Sequence, residues 1–236
     1  MKRTAINLIL DSWTSRPFRI GLVLLCMVCP LCDWPGGPGP VAAAARSATS
    51  QSSSKSAKEI EYEVKAAFIY NFMKFIEWPK ESMETQMAEK SMVIGILGDN
   101  PFGDAFVPIL DKEVHGRKIT LVNIPSFATF QQTASDKDGA FARYRAKYKP
   151  RIESCDVLFV CASEKAHFEK LTALTPGHGI LTISDVPGFA RDYGIIGFVK
   201  DNNKIRFEIN LHIAERERFK IRSQLLALAI KIYQAK

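Results

Sequence analysis

The sequence predicts a mixed α/β domain: a single β-sheet with helices on both faces, ending in a C-terminal β-hairpin followed by a helix. Two observations predict this fold class. Helical patterns alternate with short apolar runs, and runs such as 92–97 and 156–160 have so few polar residues that both faces of each strand should be buried. The last two strand patterns are separated by Asp201-Asn202-Asn203, which is typical of a tight turn between antiparallel neighbours.

The first 45 residues have the order of a secretory signal peptide and are therefore placed outside the fold. A basic leader is followed by an apolar run at 20–32 and by small residues at 41–45, where cleavage is expected. The alternative is a retained membrane anchor. The apolar run is shorter than the ~18 to 20 residues that span a bilayer, and Pro30 interrupts it. We therefore expect an exported, periplasmic protein.

The rest of the chain is expected to hold one domain. Residues 46–58 are rich in Ser, Ala and Lys and should form a disordered linker, which leaves a single domain at 59–236. Beyond residue 45 the chain has 28 Lys and Arg against 23 Asp and Glu, a net charge of +5. This modest, scattered excess favours an acidic protein surface as the partner over nucleic acid.

The elements of the domain follow from apolar spacing and from residues that end or cap helices. A first helix is predicted over 60–78, ended by Pro79; it is apolar on nearly all sides, which indicates burial or an extra face for a dimer. Ser163 should cap a helix over 163–174. The other predicted elements are strands at 92–97, 118–124, 156–160 and 180–184, a short helix ending near Leu110, a short helix at 141–148, and hairpin strands at 194–200 and 204–211.

The end of the chain has the most informative pattern. The last strand continues without Gly or Pro into what its apolar spacing predicts to be one basic amphipathic helix. On the strand, Glu208 and Asn210 should face solvent, and Arg216, Lys220 and Arg222 cluster in the first turns of the helix. Cations are unfavourable near the positive end of a helix dipole, so they are expected either to face a partner or to be offset by the nearby Glu215 and Glu217. The pattern favours a partner-binding surface. The alternative is an ordinary solvated polar face.

Motifs of catalysis are missing from the sequence. It contains no GxSxG, HExxH or P-loop, and its four histidines are far apart, so neither a metal site nor a cofactor nor an enzymatic activity is predicted. The loop at 95–103 follows a strand, where open α/β sheets bind ligands. Its Asp99, Asn100 and Phe102 are candidate ligand residues, and a turn shaped by glycine and proline is the alternative.

Beyond the signal peptide the sequence has two cysteines, Cys155 and Cys161. Both belong to one predicted strand, which would hold them ~20 Å apart. A disulfide requires Cα atoms within ~7 Å. We expect free, buried thiols, or a bridge between molecules if the strand prediction is wrong.

Three blocks of the sequence resemble the YfiR family of exported bacterial domains. They are VKAAFIYNFMKFIEWP at 64–79, the stretch from MVIGILGDNPFGDAF to VHGRKITLV at 92–122, and ILTISDVPGFARDYGIIGFVKDNNKIRFEINLHIAERERFKIRSQLLALA at 180–229. The strand CDVLFV at 155–160 also fits the family. The resemblance covers nearly all of the predicted domain, and its FEINL and KIRSQLL motifs are the most specific part.

The resemblance implies a regulatory role. The best understood members of the family are periplasmic repressors that bind the periplasmic region of an inner-membrane diguanylate cyclase, which limits cyclic-di-GMP and biofilm formation. An outer-membrane, peptidoglycan-binding lipoprotein sequesters these repressors. The family's partner surface falls here on Glu208, Asn210, Arg216, Lys220 and Arg222. Homodimers are also expected from the resemblance.

One departure from the family concerns disulfides. Relatives that carry them pair a cysteine of the first strand with one at the start of the CDVLFV strand, and a second pair lies in the final hairpin. Here the first position is Gly95, Cys155 is left alone, and the hairpin has no cysteine. Redox sensing by those bridges is therefore not expected in this chain.

Two hypotheses of different classes result. The leading one is a non-catalytic periplasmic regulator that represses a diguanylate cyclase. The second is a periplasmic receptor for a small ligand, such as a nucleotide or an amino acid, with its site near Asp99 and Phe102.

Overall fold

The computed structural model describes residues 55–79, 91–135 and 139–234. The predicted signal peptide and residues 46–54 of the predicted linker lie outside these ranges, whereas the last two linker residues, 57 and 58, are helical and not disordered. Contacts within the chain group residues 52–236 into one compact unit. All of the elements below belong to this unit.

The α-helices are α1 (Ala57–Phe75), α2 (Phe127–Thr133), α3 (Ala140–Glu153), α4 (Phe168–Thr172), α5 (Phe189–Asp192), α6 (Leu211–Arg216) and α7 (Ser223–Leu226). The strands are β1 (Ile76–Glu77), β2 (Ser91–Leu97), β3 (Glu113–Val114), β4 (Arg117–Ile124), β5 (Val157–Val160), β6 (Leu181–Ser184), β7 (Ile196–Asp201), β8 (Lys204–Asn210), β9 (Lys220–Ile221) and β10 (Lys231–Tyr233). One 3-10 helix lies at Val107–Ile109 and another at Ala162–His167.

Eight of these strands form one mixed sheet in the order β10-β8-β7-β6-β5-β2-β4-β3. The five inner strands from β7 to β4 run parallel to one another, whereas β8 is antiparallel to β7 and β3 is antiparallel to β4. β10 lies parallel to β8 at the edge, and β1 pairs with β9 in a separate two-stranded ribbon. The predicted mixed α/β fold class is confirmed.

Helices cover both faces of this sheet, and the strands alternate their side chains between two cores. In β5, Val157 and Phe159 belong to the core under α1, whereas Leu158 and Val160 belong to the core under α2, α3 and α4. This alternation explains why the inner strands appear in the sequence as continuous apolar runs.

α1 begins with a capping box and ends before its predicted last residue. The hydroxyl of Ser56 accepts a hydrogen bond from the amide of Glu59, and the Glu59 carboxylate accepts one from the amide of Ser56. The helix ends at Phe75, because Ile76 and Glu77 take extended conformations and pair with β9. The prediction of a helix to Trp78 therefore runs three residues too far.

The prediction of one long C-terminal helix is wrong. Arg218 has a left-handed backbone with φ of 62°, and the Phe219 amide donates to the Ala214 carbonyl at 2.9 Å, which is the hydrogen bond of a helix C-cap. The turn places Phe219 in the core, 5.6 Å from Trp78 between ring centroids. Burial of this ring outweighs the local helical pattern, so the segment folds as α6, β9, α7 and β10.

Three other predicted elements differ in detail. Ser163 does not cap a helix: Ala162–His167 is a 3-10 helix whose N-cap is Cys161, and the Ser163 hydroxyl accepts from the Asp99 amide at 3.0 Å. The predicted short helix at 141–148 is longer, because α3 continues through Pro150 to Glu153. Before Leu110 the chain forms one 3-10 turn with Pro108 in its first positions.

The hairpin and the cysteines agree with their predictions. β7 and β8 pair antiparallel around Asn202 and Asn203, which have φ of 47° and 57°, the left-handed values of a two-residue hairpin turn. Cys155 and Cys161 flank β5 and are both free and buried.

Candidate functional site

Three of the predicted partner residues lie on the segment that closes over the end of α1. Pairing of β9 with β1 sets Lys220 opposite Glu77, and Arg222 Nε lies 3.4 Å from Glu77 Oε1. The amide of Arg222 also donates to the Phe75 carbonyl at 3.2 Å. Arg216, Lys220 and Arg222 are all exposed. We call these three residues and Glu77 the C-terminal surface.

This segment is held from its other side by Glu217. One carboxylate oxygen of Glu217 accepts from the Gly177 amide at 2.7 Å, and the other lies 3.2 Å from Arg216 Nε. A cleft of about 360 Å³ lies here, lined by Pro79, Pro176, Gly177, Gly179, Arg216, Glu217 and Arg218. The C-terminal surface therefore combines fixed backbone, exposed cations and a concave edge.

Glu208 lies apart from these cations. Its neighbours Phe207 and Ile209 point into the core under α1, so Glu208 points to the opposite face of the sheet. There its carboxylate accepts from the Tyr233 hydroxyl at 3.1 Å and acts electrostatically on Arg191. The sequence prediction placed Glu208 beside the cations, whereas Lys220 and Arg222 lie on the α1 side of the sheet.

Asn210 is a structural residue, and the expectation that it faces solvent is wrong. It is only 5% exposed. Its side-chain oxygen accepts from the Ile213 amide at 2.9 Å and caps α6, and its Nδ2 donates to the Ala190 carbonyl at 2.7 Å. The asparagine is needed because it both starts α6 and satisfies a buried carbonyl of α5.

The candidate ligand loop lies in the middle of the strand order, beyond the carboxyl ends of β2 and β5. From β2 the chain goes to β4 on one side, and then returns to β5 on the other side, which makes this crevice the switch point of the strand order. Gly98 has φ of 106°, and a Cβ there would lie 2.5 Å from Ser163 Oγ. A glycine is therefore required where the two loops meet.

The loop uses most of its own polar groups. Asn100 Oδ1 accepts from the Phe102 amide at 2.9 Å, and its Nδ2 donates to Asn123 at 2.9 Å. Phe102 is buried against Phe159, with ring centroids 4.8 Å apart. Of the three candidate ligand residues, Asp99 presents an exposed carboxylate, whereas Asn100 and Phe102 serve the turn itself.

A buried charged network that sequence reasoning missed lies beyond the carboxyl end of β6. Lys65 of α1 is 4% exposed, and its Nζ lies 2.7 Å from Asp185 Oδ2 and 2.8 Å from Glu61 Oε1. The Tyr62 hydroxyl donates to the same Asp185 oxygen at 2.8 Å. Burial, followed by the hydrogen bond to Asp185, raises the pKa of Tyr62. The i,i+4 spacing of Glu61 and Lys65 was the signal in the sequence, but the distant Asp185 had none.

Both cysteine thiols resist ionisation. Burial is the main cause that raises the pKa of the Cys155 thiol to about 12 and that of the Cys161 thiol as well, so neither is a ready nucleophile. Among the described residues no group of three or more His, Cys, Asp or Glu could hold a metal ion. In the same residues no helix is long and apolar enough to cross a membrane.

The described part of the chain is a compact α/β domain with exposed charged residues near the end of the chain. The chain belongs to the family described as YfiR/HmsC-like (DUF4154), whose model matches residues 62–230. This match confirms the resemblance found in the sequence blocks. The family is periplasmic and non-catalytic, and it regulates cyclic-di-GMP signalling.

Two solved structures show distant similarity to this chain. The ABC domain from Streptococcus pneumonia in complex with L-Trp shares 12% identity at a TM-score of 0.42, with 65% of this chain covered. A conserved domain protein from Vibrio cholerae O1 biovar eltor shares 13% identity at a TM-score of 0.39, with 64% covered. The chain spans 59% of the length of each of these structures. None of the curated proteins compared with this chain matches it.

Proposed function

We propose that this protein is exported by a cleavable signal peptide and represses an inner-membrane diguanylate cyclase by binding the enzyme's periplasmic sensor region. The observation that carries the proposal is the C-terminal surface, where Arg216, Lys220 and Arg222 are exposed on a segment fixed to α1. It lies within the part of the chain that the family model matches.

The cations suit a partner that carries acidic groups. Binding has an entropic cost, because side chains and backbone lose conformational freedom. A backbone that is already fixed before binding lowers the backbone part of this cost. Two residue pairs between β9 and β1, and the hydrogen bond from the Gly177 amide to the Glu217 carboxylate, fix the backbone here. Exposed charges also speed encounter with a surface of complementary charge. Glu208, on the opposite face of the sheet, would then contact a separate part of the partner or none.

Repression would work by selective binding. If the protein binds the inactive conformation of the sensor region more tightly than the active one, it shifts the cyclase toward the inactive state by that difference in affinity. A competitor for the C-terminal surface, such as an outer-membrane, peptidoglycan-binding lipoprotein, would reverse the shift by sequestering the repressor.

The proposal is tested by measuring intracellular cyclic-di-GMP in the source bacterium with and without this gene. We expect a rise on deletion that the wild-type gene reverses. The double variant Glu208→Lys/Arg222→Glu keeps the net charge but reverses one charge on each face, and it should fail to restore the low level. Single variants then separate the two faces. Arg222→Glu alone should still fail to restore the low cyclic-di-GMP level. Glu208→Lys alone tests whether Glu208 belongs to the partner surface, as the resemblance implies.

A matched control exists at the far edge of the sheet. Glu113 and Lys118 are exposed and lie opposite each other between β3 and β4. Their exchange, Glu113→Lys/Lys118→Glu, preserves both net charge and the local pair, and it should repress like the wild type. An unchanged cyclic-di-GMP level on deletion, with the protein present in the periplasm of the parent strain, would count against the repressor.

The second candidate function is a receptor for a small ligand at the switch point between β2 and β5. The position of Asp99 favours it, because open α/β sheets bind ligands in that crevice. The internal hydrogen bonds of Asn100 and the burial of Phe102 leave the loop with few free groups, which disfavours it. A thermal shift that saturates with an amino acid or nucleotide and is lost in Asp99→Ala, but not in Arg222→Glu, would support the receptor.

A homodimer is a further prediction. Ile60 and Val64 of α1 are 51% and 39% exposed, one turn apart on the same side of the helix. Sedimentation of the wild type and of Ile60→Ser/Val64→Ser tests whether this side of α1 binds a second copy.

A further inference from the structure

The net charge of the domain is concentrated in one helix. From residue 55 to the end, the sequence has 27 Lys and Arg against 23 Asp and Glu, a net of +4. α3 alone contains five cations and one carboxylate, also a net of +4. The other residues from 55 onward sum to zero, so the net charge of α3 equals the net excess of the whole domain.

The cations of α3 stand on both flanks of its exposed side. Ala140, Tyr144 and Ile152 are buried, so the outermost line of the helix is the exposed series Ala142, Ala146 and Pro150. Arg143 and Lys147 lie on one flank of this line, with Arg151 a turn beyond them, and Arg145 and Lys149 lie on the other flank. Small residues on the crest allow the helix to approach a flat surface while the long cationic side chains reach it from both sides.

Several of these charges repel one another along the helix. Arg143 with Lys147, Lys147 with Arg151, and Arg145 with Lys149 are like-charged pairs at i,i+4, which destabilise a helix. Glu153 is the single carboxylate of α3, and Lys149 and His178 both engage it. Among the described residues no ion pair involves Arg145, Lys147 or Arg151. Lys170 of α4 adds another cation beside α3, with its Nζ 5.9 Å from the Phe141 ring.

We propose that α3 docks on an anionic bilayer surface and holds the domain against the membrane. A planar, multiply charged surface is the occupant that fits cations on two flanks of a crest of small residues. Because the crest has no large apolar side chain, the helix would lie on the headgroups without inserting. The inference does not rest on the proposed function, since it concerns a different surface and a different class of partner.

The test uses the compact unit 52–236, which lacks the apolar leader, and vesicles of phosphatidylglycerol and phosphatidylcholine or of phosphatidylcholine alone. We expect cosedimentation with the anionic vesicles only, weakened by high salt. Arg145→Gln/Lys147→Gln/Arg151→Gln should weaken binding on the order of a hundredfold. All three positions are exposed, and thermal unfolding confirms that the variant is folded.

The matched control is Lys58→Gln/Lys74→Gln/Lys204→Gln, which removes the same charge from three exposed lysines outside α3. It should bind anionic vesicles nearly as well as the wild type. Equal weakening in both variants would show a general charge effect and overturn the assignment to α3. Failure of the folded wild type to bind anionic vesicles, or tighter binding to duplex DNA than to vesicles, would overturn the membrane as the occupant.

Discussion

At the scale of single residues, close contacts explain positions whose roles the sequence does not reveal. Gly95 lies in the middle of β2, and a Cβ built there would lie 2.5 Å from Cys155 Sγ and 3.4 Å from Cys155 Cβ. Disulfides have Cβ atoms ~3.5 to 4.5 Å apart. The backbone of this chain is therefore arranged as it would be for the bridge that the resemblance assigns to its disulfide-bearing relatives, although it has a glycine in place of one cysteine.

Gly95→Cys should consequently form a disulfide with Cys155 under oxidising conditions. The bridge closes a loop of about 60 residues, so it should add roughly 3–4 kcal/mol to the free energy of unfolding, reduced by any strain against Leu158. Thiol titration after denaturation and urea unfolding with and without reductant measure both effects. Gly95→Cys/Cys155→Ser is the control, and a variant that keeps three free thiols after oxidation would contradict the geometry.

Asn210 gives a second prediction at this scale. Asn210→Ala removes the cap of α6 and leaves the Ala190 carbonyl without its buried donor, so it should cost about 1–3 kcal/mol of stability. Asn210→Asp keeps the cap acceptor and loses only the donor, and it should be less destabilised than Asn210→Ala. Urea unfolding measures the order of the two variants. Loss of repression without loss of stability in Asn210→Ala would instead make Asn210 a partner residue.

At the scale of elements, the C-terminal segment shows where periodicity is a poor guide. Its apolar spacing fits one helix, yet Phe219 gains more from burial beside Trp78 than the segment gains from continuing the helix past Arg218. The inner strands were predicted to within two residues at each end, because a buried strand leaves a continuous apolar run. The ribbon of β1 and β9 was missed, because no local pattern reports a pairing between Ile76 and Ile221.

Phe219→Ala should detach this segment from α1. The loss of a buried ring should cost about 3–5 kcal/mol. Trp78 is the single tryptophan of the unit 52–236, so its fluorescence in the folded variant should shift toward that of an exposed indole. Val107→Ala, at a side chain that is 60% exposed, is the control and should change neither property. Unchanged Trp78 emission in folded Phe219→Ala would show that the segment does not depend on this contact.

At the scale of the whole molecule, ion pairs join elements that are distant in sequence, and they make stability depend on pH. A hydrogen bond from Lys65 is the main cause that holds the pKa of Glu61 below its ordinary value of 4.5, and Lys200 adds to it. Because the folded pKa is lower, this contribution is complete above pH 4.5 and is lost as the pH falls through the folded value. The network therefore stabilises the domain at neutral pH and fails in acid.

Glu61→Gln should accordingly reduce the acid sensitivity of the fold. Urea unfolding between neutral pH and about pH 3 should show a smaller loss of stability in this variant than in the wild type. The exposed Glu113→Gln serves as the comparison. An identical pH profile for Glu61→Gln and wild type would exclude Glu61 as a source of the dependence.

Like the elements, the candidate sites were predictable from the sequence only where a local pattern reports them. Exposed cations near the end of the chain were predictable from composition, and the structure keeps Arg216, Lys220 and Arg222 on its surface. Three other features depend on which strands become neighbours: the position of Glu208 away from Lys220 and Arg222, the burial of Asn210, and the ion pair of Lys65 with Asp185. That information is held by the tertiary fold and has no local signature.

The pairing of β1 with β9 also bears on the order of folding. Ile76 and Ile221 are separated by most of the domain, so their contact closes one of its longest loops and should form late. We therefore expect the C-terminal surface to form after most of the domain has folded. A partner that recognises this surface would discriminate against newly exported and incompletely folded molecules, so it would bind only the completely folded protein.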